Sequence, residues 1–305
     1  MLDSLTYQLL STPSISPDDH GCQSLLRQAL QPLGFTTRQL DFGDVKNFWA
    51  KFGNKSKTLL FVGHTDVVPT GPTEQWKYPP FTPTIDDGKL YARGAADMKV
   101  AIACMVEACR RFLKEYPEPN FNIAFLMTSC EEANTEDGTE KAIQALIDQE
   151  HEKIDWCIVG EPSSNLLLGD QIKVGRRGSL HGELLIHGKQ GHIAYPHLAQ
   201  NPIHLVAPLL KELTQIIWDK GSEYFEPTSF QISNIHSGTG TTNVIPGDLE
   251  LIFNFRYSPA NNAQTLQNSV EDLLKKHALK YTITWNHTAK PFQSSLGSLH
   301  SALQQ

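Results

Sequence analysis

The apolar run Leu59-Leu60-Phe61-Val62 passes directly into Gly63-His64-Thr65-Asp66-Val67-Val68-Pro69. A short apolar run of this kind reads as a buried strand. Side chains alternate along a strand with a period of two, so His64 and Asp66 project to the same side of its end. A buried metal-ligating histidine usually has a carboxylate orienting its other ring nitrogen. His-x-Asp at a strand end is a compact way to supply both.

The flanking sequence predicts a sheet around this strand. Two helical patterns lie between Leu2 and Leu30, separated by the breaker Pro13-Ser14-Ile15-Ser16-Pro17. Strands are expected over 47–52 and 58–62. A helix is expected over 98–115, with Val100, Cys104, Ala108 and Phe112 at helical spacing and Pro117 and Pro119 beyond its end. A strand over 122–128, a helix over 139–149 and a strand over 155–159 follow. This alternation indicates an α/β domain with a mainly parallel sheet covered by helices. After Arg177 the style changes. Strands over 179–187, 229–235, 248–256 and 280–285, with helices over 201–218 and 263–277, give the order strand-helix-strand-strand-helix-strand of the ferredoxin-like split arrangement. A second, α+β domain is therefore placed at 178–291, inserted into a first one formed by 1–177 and 292–305.

The 305 residues and apolar content of 40% suffice for two cored domains. A net charge of −7 with no block of five basic residues makes nucleic acid and anionic membrane unexpected partners. Met1-Leu2-Asp3-Ser4-Leu5 has an acid where a signal peptide needs positive charge. No run approaches the roughly 18 apolar residues of a membrane span. Cys22, Cys104, Cys109, Cys130 and Cys157 are odd in number and lack Cys-x-x-Cys spacing, which suits reduced thiols in a cytoplasmic protein. A metal would then be held by His and carboxylate rather than by sulfur.

Ligands of open α/β sheets bind outside the carboxyl ends of the strands, and the polar clusters fall there. His64 and Asp66 follow one apolar run; Asp97 opens the long helix; Glu131-Glu132 and Glu161 follow two more runs. Taken singly, each acid reads as a helix cap or a solvated end, and Asp97 as an N-cap. Together they supply one His and five carboxylates, enough for two divalent cations. Adjacent residues in an extended segment diverge, so one of Glu131 and Glu132 can bind metal while its neighbour serves as general base.

The motifs resemble those of the M20 family of metal-dependent amidohydrolases and peptidases, across essentially the whole chain. They are Ser11-Thr12-Pro13-Ser14-Ile15-Ser16-Pro17-Asp18, Gly63-His64-Thr65-Asp66-Val67-Val68-Pro69-Thr70-Gly71, Arg93-Gly94-Ala95-Ala96-Asp97-Met98-Lys99, Cys130-Glu131-Glu132-Ala133, Val159-Gly160-Glu161-Pro162, Gly175-Arg176-Arg177-Gly178-Ser179 and Gly191-His192-Ile193-Ala194-Tyr195-Pro196-His197. The resemblance implies a zinc-exopeptidase-like catalytic domain, an inserted dimerisation domain that makes a homodimer, and two zinc ions that cobalt can replace. It implies that His64 and Glu161 bind one zinc, Glu132 binds the second, and Asp97 bridges both beside a cis peptide to Met98. Asp66 then orients His64, Glu131 is the general base, and His192 reaches the partner subunit's site as an oxyanion donor.

The segments 176–179 and Thr242-Asn243-Val244-Ile245-Pro246-Gly247 favour a branch of the family that hydrolyses the succinyl amide of N-succinyl-LL-2,6-diaminopimelate. Deacylation of the acetylornithine type and dipeptide hydrolysis are the alternatives. An anionic small-molecule substrate calls for fixed cations, for which Arg176, Arg177 and Arg256 are candidates, Arg177 reading equally as a surface ion pair. The resemblance adds Ser179, Tyr195 and Asn243 as hydrogen-bonding groups. Gly238-Thr239-Gly240 lacks the spacing and lysine of a phosphate loop. The family's last His ligand for the second zinc is expected in a segment past Gln305, and neither His287 nor His300 sits in that motif. A catalytically inactive, dimeric metal-binding protein is therefore the reading from another class.

Overall fold

A computed structural model of the chain describes residues 3–133 and 135–305. It divides into two units, Met1–Leu168 and Gly169–Gln305. The first holds β1 (Thr36–Gln39), β2 (Asn47–Phe52), β3 (Thr58–His64), the small pair β4 (Thr84–Asp86) and β5 (Lys89–Tyr91), β6 (Asn122–Thr128) and β7 (Trp156–Val159). Its helices are α1 (Ser4–Ser11), α2 (Cys22–Leu30), α3 (Val100–Glu115) and α4 (Thr139–Glu150).

The sheet runs β1-β2-β6-β3-β7. β3 lies parallel to β6 and to β7, whereas β1 with β2 and β2 with β6 are antiparallel. The sheet is thus mixed, not mainly parallel as the sequence alternation suggests. The reason is the short link between Phe52 and Thr58. It has no room for a crossover helix, so β3 starts at the end of the sheet where β2 stops and must run the other way. β6 fits between them, and every one of its residues is buried. Ile123, Phe125 and Met127 point into one core with Leu26, Leu30, Ile102, Val106 and Cys109. Ala124 and Leu126 point into the other, with Trp49, Leu60, Ala142 and Leu146. Each such large apolar side chain contributes about 1.5–3 kcal/mol on burial, so β3 and β6 are anchored on both faces. Their carboxyl ends are held accordingly, and these carry the polar motifs.

The inward stripe of α3 is Ile102, Met105, Val106, Cys109 and Leu113. Cys104 and Ala108, two of the residues at helical spacing, are exposed. The helix carries two apolar series, and only packing decides between them. Among the described residues no helix is long and apolar enough to cross a membrane.

The second unit contains β8 (Gly175–Arg176), β9 (Gly178–His187), β10 (Gly191–His192), β11 (Ser229–Ser237), β12 (Val244–Ile245), β13 (Asp248–Tyr257), β14 (Tyr281–Ala289) and β15 (Phe292–Gln293), with α5 (Pro202–Leu213), α6 (Ala263–Lys276) and α7 (Ser298–Leu303). An antiparallel sheet of order β11-β13-β9-β14 forms, with α5 and α6 as the crossovers of a split arrangement. Leu180, Leu184, Ile186, Leu251, Phe253 and Phe255 face Val206, Leu209, Leu266 and Val270. β15 pairs with β8. α5 starts where Asn201 caps the N–H of Ile203 and ends at Leu213, short of the expected 218. There Thr214 turns its hydroxyl back onto the carbonyl of Leu210, a bond that competes with helix propagation.

Candidate metal centre

β3 ends at His64, whose ring is almost wholly buried. Its Nδ1 lies 3.0 Å from the main-chain carbonyl of Asp66. A carbonyl can only accept, so Nδ1 carries the hydrogen and Nε2 is the nitrogen turned toward the acids. The Asp66 carboxylate stands 3.5 Å from Nδ1, farther than its own carbonyl. Asp66 is itself fully buried and accepts from the main-chain N–H groups of Glu131 and Glu132 and from the Ser16 hydroxyl.

On the other side, Nε2 is 3.0 Å from Asp97 Oδ1 and 3.3 Å from Glu161 Oε1. One donor atom each from His64, Asp97 and Glu132 lies within 4.8 Å of the others. Asp97 does not cap the long helix. It has extended dihedrals (φ −121°, ψ 101°) in the turn before α3, and its peptide to Met98 is cis. Its carboxylate faces His64.

The glycines before two of these residues have a steric reason. A Cβ at Gly63 would lie 2.5 Å from the Met98 methyl, and one at Gly160 2.6 Å from it. Met98 is fully buried between the two backbones. It thus seats the Asp97 turn against the ends of β3 and β7, directly beside His64 and Glu161.

The electrostatics fit a cation. Burial works against a charge on His64, but hydrogen bonds and attraction from Asp66 and Glu161 outweigh it and push the pKa up to about 11. Burial raises the Glu131 carboxyl, opposed by His64 and reinforced by Glu161, Asp66 and Asp97. Glu132 is raised by burial and then by Asp97. Glu131 and Glu132, both made harder to ionise by burial and neighbouring acids, stand with Asp97 and Glu161 around an imidazole nitrogen, a donor set for a divalent metal.

The second unit holds the other sequence candidates. His192 on β10 is exposed, and its Nδ1 accepts the N–H of Ala194 at 3.1 Å. Its ring centroid is 5.8 Å from that of Tyr195. Asn243 accepts the N–H of Ile193 through its carbonyl, which brings it beside the same loop. Ser179 pairs with Arg256 across β9 and β13, and its hydroxyl takes an N–H of Asn254 at 3.2 Å. Arg176 lies over the Phe292 ring. His287 bonds the Tyr257 hydroxyl, and His300 lies in α7.

Sequence reasoning gave no role to Ser16, which bonds Asp66, or to Lys99, which is fully buried behind Asp97. Both sit inside motifs already quoted. A lysine directly before an apolar helical stripe is the signal that could have marked the second.

Residues 60–305 match the model of the peptidase family M20/M25/M40. The succinyl-diaminopimelate desuccinylase of Methylobacillus flagellatus is 52% identical over 299 residues, 98% of this chain and 80% of that protein. Among solved structures, an aminopeptidase PepT from Bacillus cereus aligns with a TM-score of 0.72 at 18% identity, over 97% of this chain and 78% of the other. A dinuclear metal-binding M20 peptidase of Bacillus subtilis aligns with a TM-score of 0.65 at 15% identity, over 95% and 74%.

Proposed function

The chain belongs to the peptidase family M20/M25/M40, and from that premise we propose that it hydrolyses N-succinyl-LL-2,6-diaminopimelate. The products are succinate and LL-2,6-diaminopimelate, in the biosynthesis of lysine and diaminopimelate. The observation that carries this reading is the identity to a succinyl-diaminopimelate desuccinylase along nearly the whole chain. It is a metal-dependent hydrolase, and the cluster of His64, Asp97 and Glu132 supplies the donors such chemistry requires.

His64 and Glu161 would hold one zinc ion, Glu132 a second, and Asp97 would bridge them; cobalt would serve in their place. Such a pair, when bound, supplies a water of lowered pKa and polarises the amide carbonyl. Asp66 keeps the His64 ring oriented. Glu131 takes the proton of the attacking water and delivers it to the leaving amine as the C–N bond breaks. Burial raises its pKa above the usual carboxylate range, which makes it a better proton acceptor than an exposed acid.

The substrate carries several carboxylates. Arg176 and Arg256 are the cations for them, with Ser179, Tyr195 and Asn243 as hydrogen-bonding partners. Residues 178–291 form the dimerisation domain, and His192 acts across the subunit boundary as a donor to the developing oxyanion. The enzyme works in the cytoplasm, on a small molecule.

A substrate panel tests the assignment. The zinc-loaded chain should turn over N-succinyl-LL-2,6-diaminopimelate with a kcat/KM well above that for N-acetylornithine and for dipeptides. Preference for an acetyl or peptidyl amide would overturn it.

A further inference from the structure

Lys99 has no solvent exposure at all. Its Nζ donates to the carbonyls of Leu9 at 2.9 Å and Thr12 at 2.8 Å, at the C-terminal end of α1. An ammonium removed from water costs free energy that a methionine of the same length would not. Burial accordingly lowers its pKa, while attraction from Cys22, Asp19 and Asp66 works the other way. A helix end can be satisfied far more cheaply, by water or by a glycine turn. The expense needs a reason beyond capping α1.

The chain leaving α1 supplies one. Ser14 donates its hydroxyl to the carbonyl of Thr65 at 2.6 Å. The N–H of Val67 bonds the Ser14 carbonyl at 2.8 Å, and that of Ser16 bonds the Val67 carbonyl at 3.2 Å. The Ser16 hydroxyl bonds the Asp66 carboxylate, which in turn holds the N–H groups of Glu131 and Glu132. Residues 9–16 therefore run as a brace. One end is fastened to Lys99, two residues after Asp97; the other is fastened to Asp66, two residues after His64.

We propose that Lys99 is a positioning residue of the metal centre, whose ammonium ties the Asp97 turn through the 9–16 brace to the segment carrying His64 and Asp66. The inference rests on reading His64 and Asp97 as ligands. Without the tie, the two arms lose their fixed spacing and each cation is held by donors that must first be brought together. The ligand side chains themselves are not altered, so the loss falls on metal affinity and turnover rather than on substrate binding.

The test uses the full chain, stripped with a chelator, with zinc affinity read by chelator competition beside the thermal midpoint, kcat and KM. Lys99→Met should raise the zinc dissociation constant by about 10–100-fold, the range seen when supports of metal ligands are removed. Its kcat should fall while KM stays within about threefold. Ser14→Ala, which removes the Ser14–Thr65 bond near the other end of the brace, should weaken zinc by a smaller factor. The double variant should be less impaired than the product of the two, because one brace is broken in either case. Wild-type zinc affinity in Lys99→Met, with only a lower thermal midpoint, would reduce Lys99 to a helix cap and overturn the inference. Should that variant fail to fold, wild-type affinity in Ser14→Ala overturns it instead. No zinc binding by the unaltered chain would sink the ligand assignment itself, a result distinct from either.

Discussion

Asp66 accepts the main-chain N–H of Glu131 at 3.1 Å. One buried carboxylate thus sits beside the His64 ring and also fixes the backbone of the proposed base. Burial raises its pKa, but the bonds from His64, Ser16 and the N–H groups of Glu131 and Glu132 outweigh this and hold it below the usual carboxylate range. A depressed acid contributes stability that is present above its ordinary pKa of 3.8 and is lost as pH falls through the lower folded value.

Asp66→Asn keeps the size and removes the charge. Zinc affinity should drop by about 10–100-fold. Unfolding stability should fall by about 1–3 kcal/mol, since two backbone donors lose their charged acceptor. Chelator competition and thermal unfolding check the two effects. Unchanged affinity would show that the Asp66 carbonyl, the nearer partner of Nδ1, orients the ring unaided.

Glu131→Gln should retain both zinc content and fold while turnover falls by about 10²–10⁴-fold, the usual worth of a general base. Metal analysis and steady-state kinetics on the same preparation decide it. Loss of zinc in this variant would mean that Glu131 and Glu132 have exchanged roles.

Glu161→Ala removes an oxygen 3.3 Å from His64 Nε2. Metal content should fall, and the His64 pKa should fall with it, because Glu161 is one of the two groups that raise it. A zinc titration followed by imidazole proton resonances reads both. Full stoichiometry at wild-type affinity would remove Glu161 from the ligand set.

A metal bound by His64 would have to displace the proton that the surrounding acids favour on its ring, where they push the pKa up to about 11. Binding at pH 7–8 should therefore release close to one proton, with affinity rising about tenfold per pH unit. Without metal the sign is opposite. A histidine with a raised folded pKa contributes stability that is complete below 6.5 and is lost as pH rises toward about 11. The chelator-stripped chain should lose thermal stability between those limits, and His64→Asn should lack that slope. Calorimetry in buffers of different ionisation enthalpy measures the proton count; none released would contradict His64 as a ligand.

The sequence made the strongest elements readable and the contextual ones not. β2 and β6 occupy the expected 47–52 and 122–128 because dense apolar runs there have sharp polar ends. β1, Thr-Thr-Arg-Gln, has no apolar residue and exists as a strand through its pairing with β2. Which face of α3 is buried could not be read, since periodicity does not say which of two apolar series meets the sheet. At the site, His64, Asp97 and Glu132 could be foreseen as neighbours, because each follows or opens an element aimed at one end of the sheet. The brace behind them could not. Its bonds end on the carbonyls of Leu9, Thr12 and Thr65, and main-chain acceptors leave no mark on the residue types that bear them.

The last prediction concerns His192. It lies on β10, a two-residue strand paired with β12, and is exposed. Arg256 and Ser179 belong to a different sheet of the same unit. An exposed imidazole on a short strand suits a donor that must reach outward to a neighbouring subunit, and a homodimer through residues 178–291 would provide one. A mixed dimer tests this, with His192→Ala in one subunit and Glu131→Ala in the other. Acting across the boundary, His192 puts both defects on one active site and leaves the other with both groups intact, so about half the wild-type rate survives. Acting within its own subunit, it leaves every site with one defect and almost no rate. That outcome, or a monomer by sedimentation at working concentration, would exclude the shared site.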